Sequence, residues 1–325
     1  MLEAKGLHKY YLSRIRKNLF KIEKQEKHAA KNISLKMPKG KIIGVLGENG
    51  AGKTTLIKML TTLLLPDKGQ IVIDGVDINQ NVRETRKKLN MIAGGERNIY
   101  WRLNALENLH YFGSLYKLPK QEIKNRSEIL LKQFGLWEKR TIPVEQFSKG
   151  MKQRLQIAKG LINDPEYIFL DEPTLGLDVQ IAKDLRVCIK ELAEKENKGI
   201  LLTTHYMAEA EELCDYIYII EEGKIVLEGT KEVIFEKLSL TKQLVLHVHS
   251  ESEPFLKEIL EGITELYTVE SDDEKVMVTI FSNVLTLQQG INYFNDSNVQ
   301  IVHVSQVSPT LEDALIKVKT ITREN

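Results

Sequence analysis

Apolar and polar positions along the chain fall into two rhythms. Ile42–Leu46, residues 167–170 and Gly199–Thr203 are short, nearly unbroken apolar runs, the pattern of strands covered on both faces. Residues 179–195, between the last two runs, carry helical periodicity, and such alternation predicts a parallel sheet with crossover helices. Residues 55–65 read as a helix closed by the turn Pro66-Asp67-Lys68-Gly69. Residues 71–73 follow as a strand ending at Asp74-Gly75, and residues 104–165 are helix-rich. Near Gly229-Thr230 the character changes. Residues 244–248, 275–281 and 299–304 read as strands, and 253–261 and 284–295 as helices. Two domains are expected: 1–235, with a helical subdomain over about 96–165, and a smaller α+β domain over 236–325.

The amino end breaks the rhythm. Residues 1–8 and 29–46 read as strands, separated by a basic segment from Lys9 to Lys31. Arg14, Arg16, Lys17, Lys21, Lys24 and Lys27 face only Glu23 and Glu26 there, and Leu12, Ile15, Leu19 and Ile22 fall at helical spacing. The spacing predicts a basic amphipathic helix within an insertion over 12–29. A solvated surface element and a helix that touches lipid or a partner protein are both open readings.

Composition narrows the class. Apolar residues at 42% and charged residues at 28% are ordinary for a globular protein, and a net charge of +1 gives no whole-chain reason to expect nucleic acid. Cys188 and Cys214 lack metal-ligand spacing and are too few for a disulfide framework, which points to a reducing, cytosolic compartment. The apolar runs are far shorter than the roughly 20 residues a membrane helix needs. Met1–Gly6 lacks the apolar core of a signal peptide.

The candidate chemistry begins at Gly47-Glu48-Asn49-Gly50-Ala51-Gly52-Lys53-Thr54, which follows an apolar strand and opens a helix with Thr55. Strand, glycine loop and helix in that order form a phosphate-binding loop: glycines let backbone N–H groups wrap phosphate oxygens, and the helix adds its positive end. Lys53 would reach the β- and γ-phosphates of ATP, and Thr54 would ligate Mg²⁺. Downstream, the apolar strand at 167–170 ends in Asp171 and Glu172. Asp171 would hold Mg²⁺ through its water shell, and Glu172 would polarise the attacking water.

Phe147-Ser148-Lys149-Gly150-Met151-Lys152-Gln153-Arg154, between these two motifs, resembles the signature of the ABC (ATP-binding cassette) transporter ATPases. Ser148 and Gly150 match the usual Leu-Ser-Gly-Gly-Gln, while Lys149 and Met151 depart from it as in exporter ATPases. Leu175-Gly176-Leu177-Asp178 is similar to the family's D-loop, and Leu201-Leu202-Thr203-Thr204-His205 to its switch strand. The resemblance, which covers residues 1 to about 235, implies an α/β P-loop NTPase cassette. Such a cassette has a RecA-like core, an antiparallel β subdomain and a helical subdomain. It implies that Ser148 and Gly150 contact ATP on an opposite subunit, that Asp178 lies at that interface, that His205 contacts the γ-phosphate, and that Tyr11, or Tyr10, stacks on adenine.

It further implies a subunit at the cytoplasmic face of the cell membrane that powers a separate permease and pairs with a second nucleotide-binding subunit, identical or different. The membrane surface is met through the permease, and no nucleic acid is involved. Drug, antibiotic, peptide or lipid-like export is the branch the motifs resemble. The family's γ-phosphate-sensing glutamine aligns with Gly95, which has no side chain to coordinate anything; Glu96 or a backbone-held water is the expected substitute. Tyr100, Trp101 and Tyr111 are read either as a permease-docking surface or as core aromatics.

Two rival readings remain. One is a degenerate cassette that binds ATP and hydrolyses little, motivated by Gly95. The other is a non-transport ATPase, which the single cassette and the short interval from Lys53 to Ser148 argue against. In the tail, Ser308–Asp313 resembles the exporter branch, Leu311, Ala314 and Leu315 read as helix core, and His247, His249 and His303 read as strand residues.

Overall fold

The computed structural model describes residues 1–18, 21–93, 99–249, 256, 259–260, 267–271, 275–282, 287–295 and 299–324. These form two compact units, Met1–Thr230 and Lys231–Asn325. The division precedes the expected 235/236 boundary because Lys231–Lys237 is a helix that packs on the last helix of the chain.

In the first unit, β1 (Leu2–Asn18) and β2 (Lys21–Met37) form a long antiparallel hairpin. The amphipathic helix expected over the basic segment is therefore absent from the described residues, and a β-ribbon stands in its place. β3 (Ile42–Leu46) leads into α1 (Lys53–Leu60), which stops short of the expected residue 65 where Thr62 takes a left-handed turn conformation. β4 (Lys68–Ile73) and β5 (Val76–Asp77) complete the antiparallel sheet, ordered β2-β1-β4-β5. α2 (Val82–Lys88) precedes β6 (Leu89–Ala93).

The helical part follows as α3 (Ala105–Leu115), α4 (Lys120–Gln133) and α5 (Lys149–Gly160). Asn104 and Glu107 close a reciprocal capping box at the start of α3. β7 (Tyr167–Asp171), α6 (Val179–Glu194), β8 (Gly199–Thr203), α7 (Met207–Leu213), β9 (Tyr216–Glu221) and β10 (Lys224–Gly229) then complete the unit.

The main sheet runs β10-β9-β3-β8-β7-β6, parallel except at β10. Its apolar runs divide residue by residue between two cores, because successive side chains leave opposite faces. Ile168, Leu170, Ile200 and Leu202 join the core beneath α3–α6. Tyr167, Phe169, Leu201 and Val45 join the core shared with α1 and the antiparallel sheet.

The second unit has α8 (Lys231–Lys237), β11 (Gln243–His249), β12 (Tyr267–Ser271), β13 (Lys275–Phe281), α9 (Leu287–Asn295), β14 (Ile301–Val307) and α10 (Leu311–Glu324). Its antiparallel sheet is ordered β12-β13-β11-β14 over a core of Leu246, Val248, Val276, Val278, Ile280 and Phe294. Thr310 and Asp313 cap α10 reciprocally, with Leu311 and Ala314 buried and Leu315 half-buried. His247 and His303 are register partners with rings 5.8 Å apart. The helix expected over 253–261 lies mostly outside the described residues.

α5 contains one costly group. Lys159 is 9% exposed, with its ammonium 4.9 Å from the Phe112 ring, and burial pushes its pKa down to about 8. Below pH 8 both folded and unfolded chains carry the proton, and the fold bears the full desolvation cost. Between pH 8 and the ordinary lysine pKa the folded chain sheds a proton that the unfolded chain keeps, so stability rises with pH. Lys159→Met is expected to stabilise the first unit at pH 7 by about 3 kcal/mol and to flatten that rise. Urea unfolding followed by the fluorescence of Trp101 and Trp137, both in this unit, reads the effect. An unaltered pH rise in the variant would rule it out.

Candidate functional site

The carboxyl ends of the central parallel strands converge on one edge. Asp171 pairs in register with Thr203, and Thr203 with Val45, so the ends of β3, β8 and β7 lie side by side where α1 begins. This is where open parallel sheets place their ligands.

The loop between β3 and α1 is held by its backbone. Gly47 has φ +152°, and a Cβ there would stand 2.2 Å from the Ile220 carbonyl oxygen. Gly52 has φ +114°, and a Cβ would stand 2.5 Å from the Ala29 carbonyl oxygen. Ala51 N–H donates to the Glu48 carbonyl (3.1 Å), turning Asn49 and Gly50 outward. α1 starts on Gly52 with no capping side chain and no acidic residue in its first turn. Its first N–H groups are thus left for an anion.

A cavity of about 300 Å³ opens over this loop. Of the residues expected from sequence, Tyr11, Asn49, Gly50, Gly52, Lys53, Thr54, Thr55, Asp171 and Glu172 line it. Lys53 is 7% exposed, and its ammonium donates to the carbonyls of Gly47 (2.6 Å) and Glu48 (2.9 Å). Burial lowers its pKa, opposed by the carboxylates of Glu172, Asp171 and Glu48. Such a cation, desolvated and lightly bonded, is well suited to a phosphate oxygen.

Asp171, which lines the cavity, accepts a 2.6 Å hydrogen bond from the Thr203 hydroxyl that fixes one carboxylate oxygen. Glu172 takes the left-handed conformation, φ +50°, with its N–H donating to the Thr203 carbonyl at 3.0 Å. A non-glycine residue there is strained, a cost usually met at sites where one side chain must be aimed. His205 Nδ1 lies 3.2 Å from Glu172 Oε1, so the switch-strand histidine and the strand-end glutamate are in direct contact.

Other expected residues lie elsewhere. Ser148 caps α5, accepting from the Met151 N–H at 3.3 Å. Gly150 is buried where a Cβ would stand 2.7 Å from Ile181, which locks α5 against α6. Asp178 precedes α6 without capping it through its side chain. The described lining of the phosphate cavity includes none of these three. Lys149, Lys152 and Gln153 instead line a separate space of about 230 Å³ with Leu175, Gly176 and Leu177. Gly95 and Glu96 lie outside the described residues.

Sequence reasoning missed three participants. Lys27 and Ala29 line the cavity from β2, and Lys27 is the register partner of Tyr11. Reading the basic segment as a strand would have exposed that pairing. Thr203 holds the Asp171 carboxylate through its hydroxyl and the Glu172 backbone through its carbonyl, which only the β7–β8 register reveals.

Tyr100, Trp101 and Tyr111 are 47%, 47% and 41% exposed, which removes the core reading. The buried Asn108 side chain fixes their loop, accepting from Tyr100 N–H (2.8 Å) and donating to the Tyr100 and Asn104 carbonyls. Lys152 of α5 lies 4.6 Å over the Trp101 ring, which ties the aromatic surface to the helix that Ser148 caps.

A family model described as ABC transporter matches residues 30–175. The ABC transporter ATP-binding protein NatA of Bacillus subtilis is 42% identical over 217 residues, 67% of this chain and 88% of that one. The linearmycin resistance ATP-binding protein LnrL of the same organism is 36% identical over 231 residues, 71% of this chain and 74% of that one. A dimeric ATP-binding cassette in a post-hydrolysis state, bound to ADP and Pi, superposes with a TM-score of 0.61 at 25% identity. It covers 71% of this chain and 98% of its own. A strand-end carboxylate pair beside a phosphate loop, in a chain so related, has one reading: the protein belongs to the ABC transporter ATP-binding proteins, the nucleotide-binding ATPase subunits of such transporters.

Proposed function

We propose that this subunit hydrolyses ATP at sites split between two copies, or between this chain and a similar one, and drives a separate permease in export. The observation that carries the reading is the strained Glu172, aimed beside Lys53 and held by His205 at 3.2 Å. Lys53 leaves the carbonyls of Gly47 and Glu48 for the phosphates, and the loop N–H groups from Glu48 to Thr55 complete the cradle. Tyr11 covers the adenine side. Glu172 orients and deprotonates the attacking water, and His205 steadies its carboxylate and reaches the γ-phosphate. Ser148 and Gly150, outside the copy's own cavity, cap the phosphates held by the partner, with Asp178 at the junction.

One hydroxyl, Thr54, and one carboxylate, Asp171, at the phosphate end of the cavity fit Mg²⁺, which prefers few protein ligands plus phosphate oxygens and water. The ion would supply charge neutralisation on the transferred phosphoryl group.

Among the described residues no helix is long and apolar enough to cross a membrane, which supports a peripheral subunit on the cytoplasmic face. The exposed aromatics Tyr100, Trp101 and Tyr111 supply its permease-docking surface. The relation to a linearmycin resistance protein supports export of an antibiotic, drug, peptide or lipid-like molecule.

Two experiments test this reading. Glu172→Gln is expected to lower ATP turnover by at least ~100-fold while leaving ATP affinity nearly unchanged; equally negligible turnover in the wild type would instead make the chain a binding module. Tyr100→Ala with Trp101→Ala is expected to preserve the ATPase rate of the isolated subunit and to abolish its stimulation by the permease. Full stimulation in that variant would exclude the surface.

A further inference from the structure

The hairpin of β1 and β2 outruns the sheet it belongs to. β4 pairs with β1 only from Leu2 to His8, whereas the β1–β2 ladder continues to Asn18 and Lys21. Among the described residues no third strand joins residues 11–18 or 21–27. At the usual rise per residue this free ribbon is about 25 Å long.

Its root is fixed. Asp67 accepts from Lys9 Nζ at 2.9 Å and from the Tyr10 N–H at 2.7 Å, and the Tyr10 ring stacks on His28 at 4.1 Å. Beyond the root, the ribbon is built against its own stability. Two-stranded ribbons are marginal in water, and like charges directly opposite weaken them further. Arg14 stands opposite Lys24 in the register, and Leu12 is 73% exposed. Lys9–Lys31 holds eight basic residues and two acidic ones in a chain whose net charge is +1, so the rest of the molecule is net negative. That basic run is far denser than the chain's net charge of +1. A polyanionic surface would offset it.

We propose that residues 11–18 and 21–27 form an arm that binds anionic phospholipid headgroups on the bilayer beside the permease, and that this contact is coupled to nucleotide binding. Lipid is favoured over a protein partner because the basic residues are spread along a ribbon that no third strand joins among the described residues, rather than gathered at one point of the sequence. Anionic bilayers attract such segments without a shaped pocket. The coupling rests on the nucleotide site proposed above: Tyr11 and Lys27, paired in register at the arm's base, both line the phosphate cavity. Whatever shifts the arm shifts that wall, and the effect is reciprocal.

The test uses the full chain and phosphatidylcholine vesicles with or without phosphatidylglycerol. Cosedimentation is expected to be at least ~10-fold stronger with phosphatidylglycerol, to fall as salt is raised, and to be lost in Arg14→Glu/Arg16→Glu/Lys24→Glu. ATP affinity of the wild type is expected to change several-fold on adding the anionic vesicles and to stay constant in the triple variant. The neutralised variant Arg14→Gln/Arg16→Gln should fall between, which guards against a folding defect. Equal binding to both vesicle types, or full binding by the triple variant, overturns the proposal. So does a wild type that ignores vesicles while the triple variant fails to copurify with the permease, which would make the arm a protein contact. In each case unchanged ATP affinity without vesicles leaves the nucleotide site standing, whereas loss of ATP binding in the wild type would strike that site instead.

Discussion

The structure depends on a close approach of three backbones around the phosphate loop. Gly52 lies against the Ala29 carbonyl of β2, Gly47 against the Ile220 carbonyl of β9. The turn after β9 joins them, with Gly223 N–H donating to the Ala51 carbonyl at 2.8 Å and Lys31 N–H donating to the Gly223 carbonyl at 2.7 Å. No side chain is needed for these contacts, and the space allows none at Gly47 or Gly52. Main sheet, antiparallel sheet and phosphate loop therefore meet as one unit, and the loop's shape is set before any ligand arrives. Preorganised donors of this kind do not have to reorient when charge develops.

From that constraint follows the electrostatic state of the cavity. Lys53 is pulled below the surface with its neutral form favoured by burial, while Glu172, Asp171 and Glu48 favour the charged form. Its two carbonyl partners satisfy the ammonium without neutralising it. In the proposed function a triphosphate takes the place of those carbonyls. The arrangement is nevertheless one-sided. Lys53, Asp171 and Glu172 make one wall, and the helix that Ser148 caps is anchored to α6 at Gly150. Its N-terminus lies apart from that wall, as the proposed split site requires.

How much of this was legible in the sequence varied with what each element had to satisfy. The strands ending at Leu46, Asp171 and Thr203 are buried on both faces, so composition alone announced them, and the glycine loop is constrained by sterics that admit few sequences. The arm was misread for the opposite reason. Leu12, Ile15, Leu19 and Ile22 are spaced as on a helix, and a two-stranded ribbon that no third strand joins among the described residues is under little pressure to alternate. Thr203 was hidden differently: its place in a strand was plain, but its hydrogen bond to Asp171 depends on which strands are neighbours, and that order is a property of topology.

Two of the chain's departures from local rules bear on the site and the arm. Glu172 holds a left-handed backbone that a glycine would adopt without strain, and Arg14 faces Lys24 across a ribbon that packs on nothing described. Consistency across levels is what makes a sequence fold to one structure, so local conflicts that persist mark places where another demand prevails. At Glu172 that demand is visible within the chain, since the strained turn is what brings the carboxylate to His205. At the arm that demand is the anionic surface proposed above. The two are joined by a short path: Tyr11 and Lys27 at the arm's base share one cavity with Glu172. Through those two residues, the proposed contact of the arm with lipid would bear on the cavity that Glu172 lines.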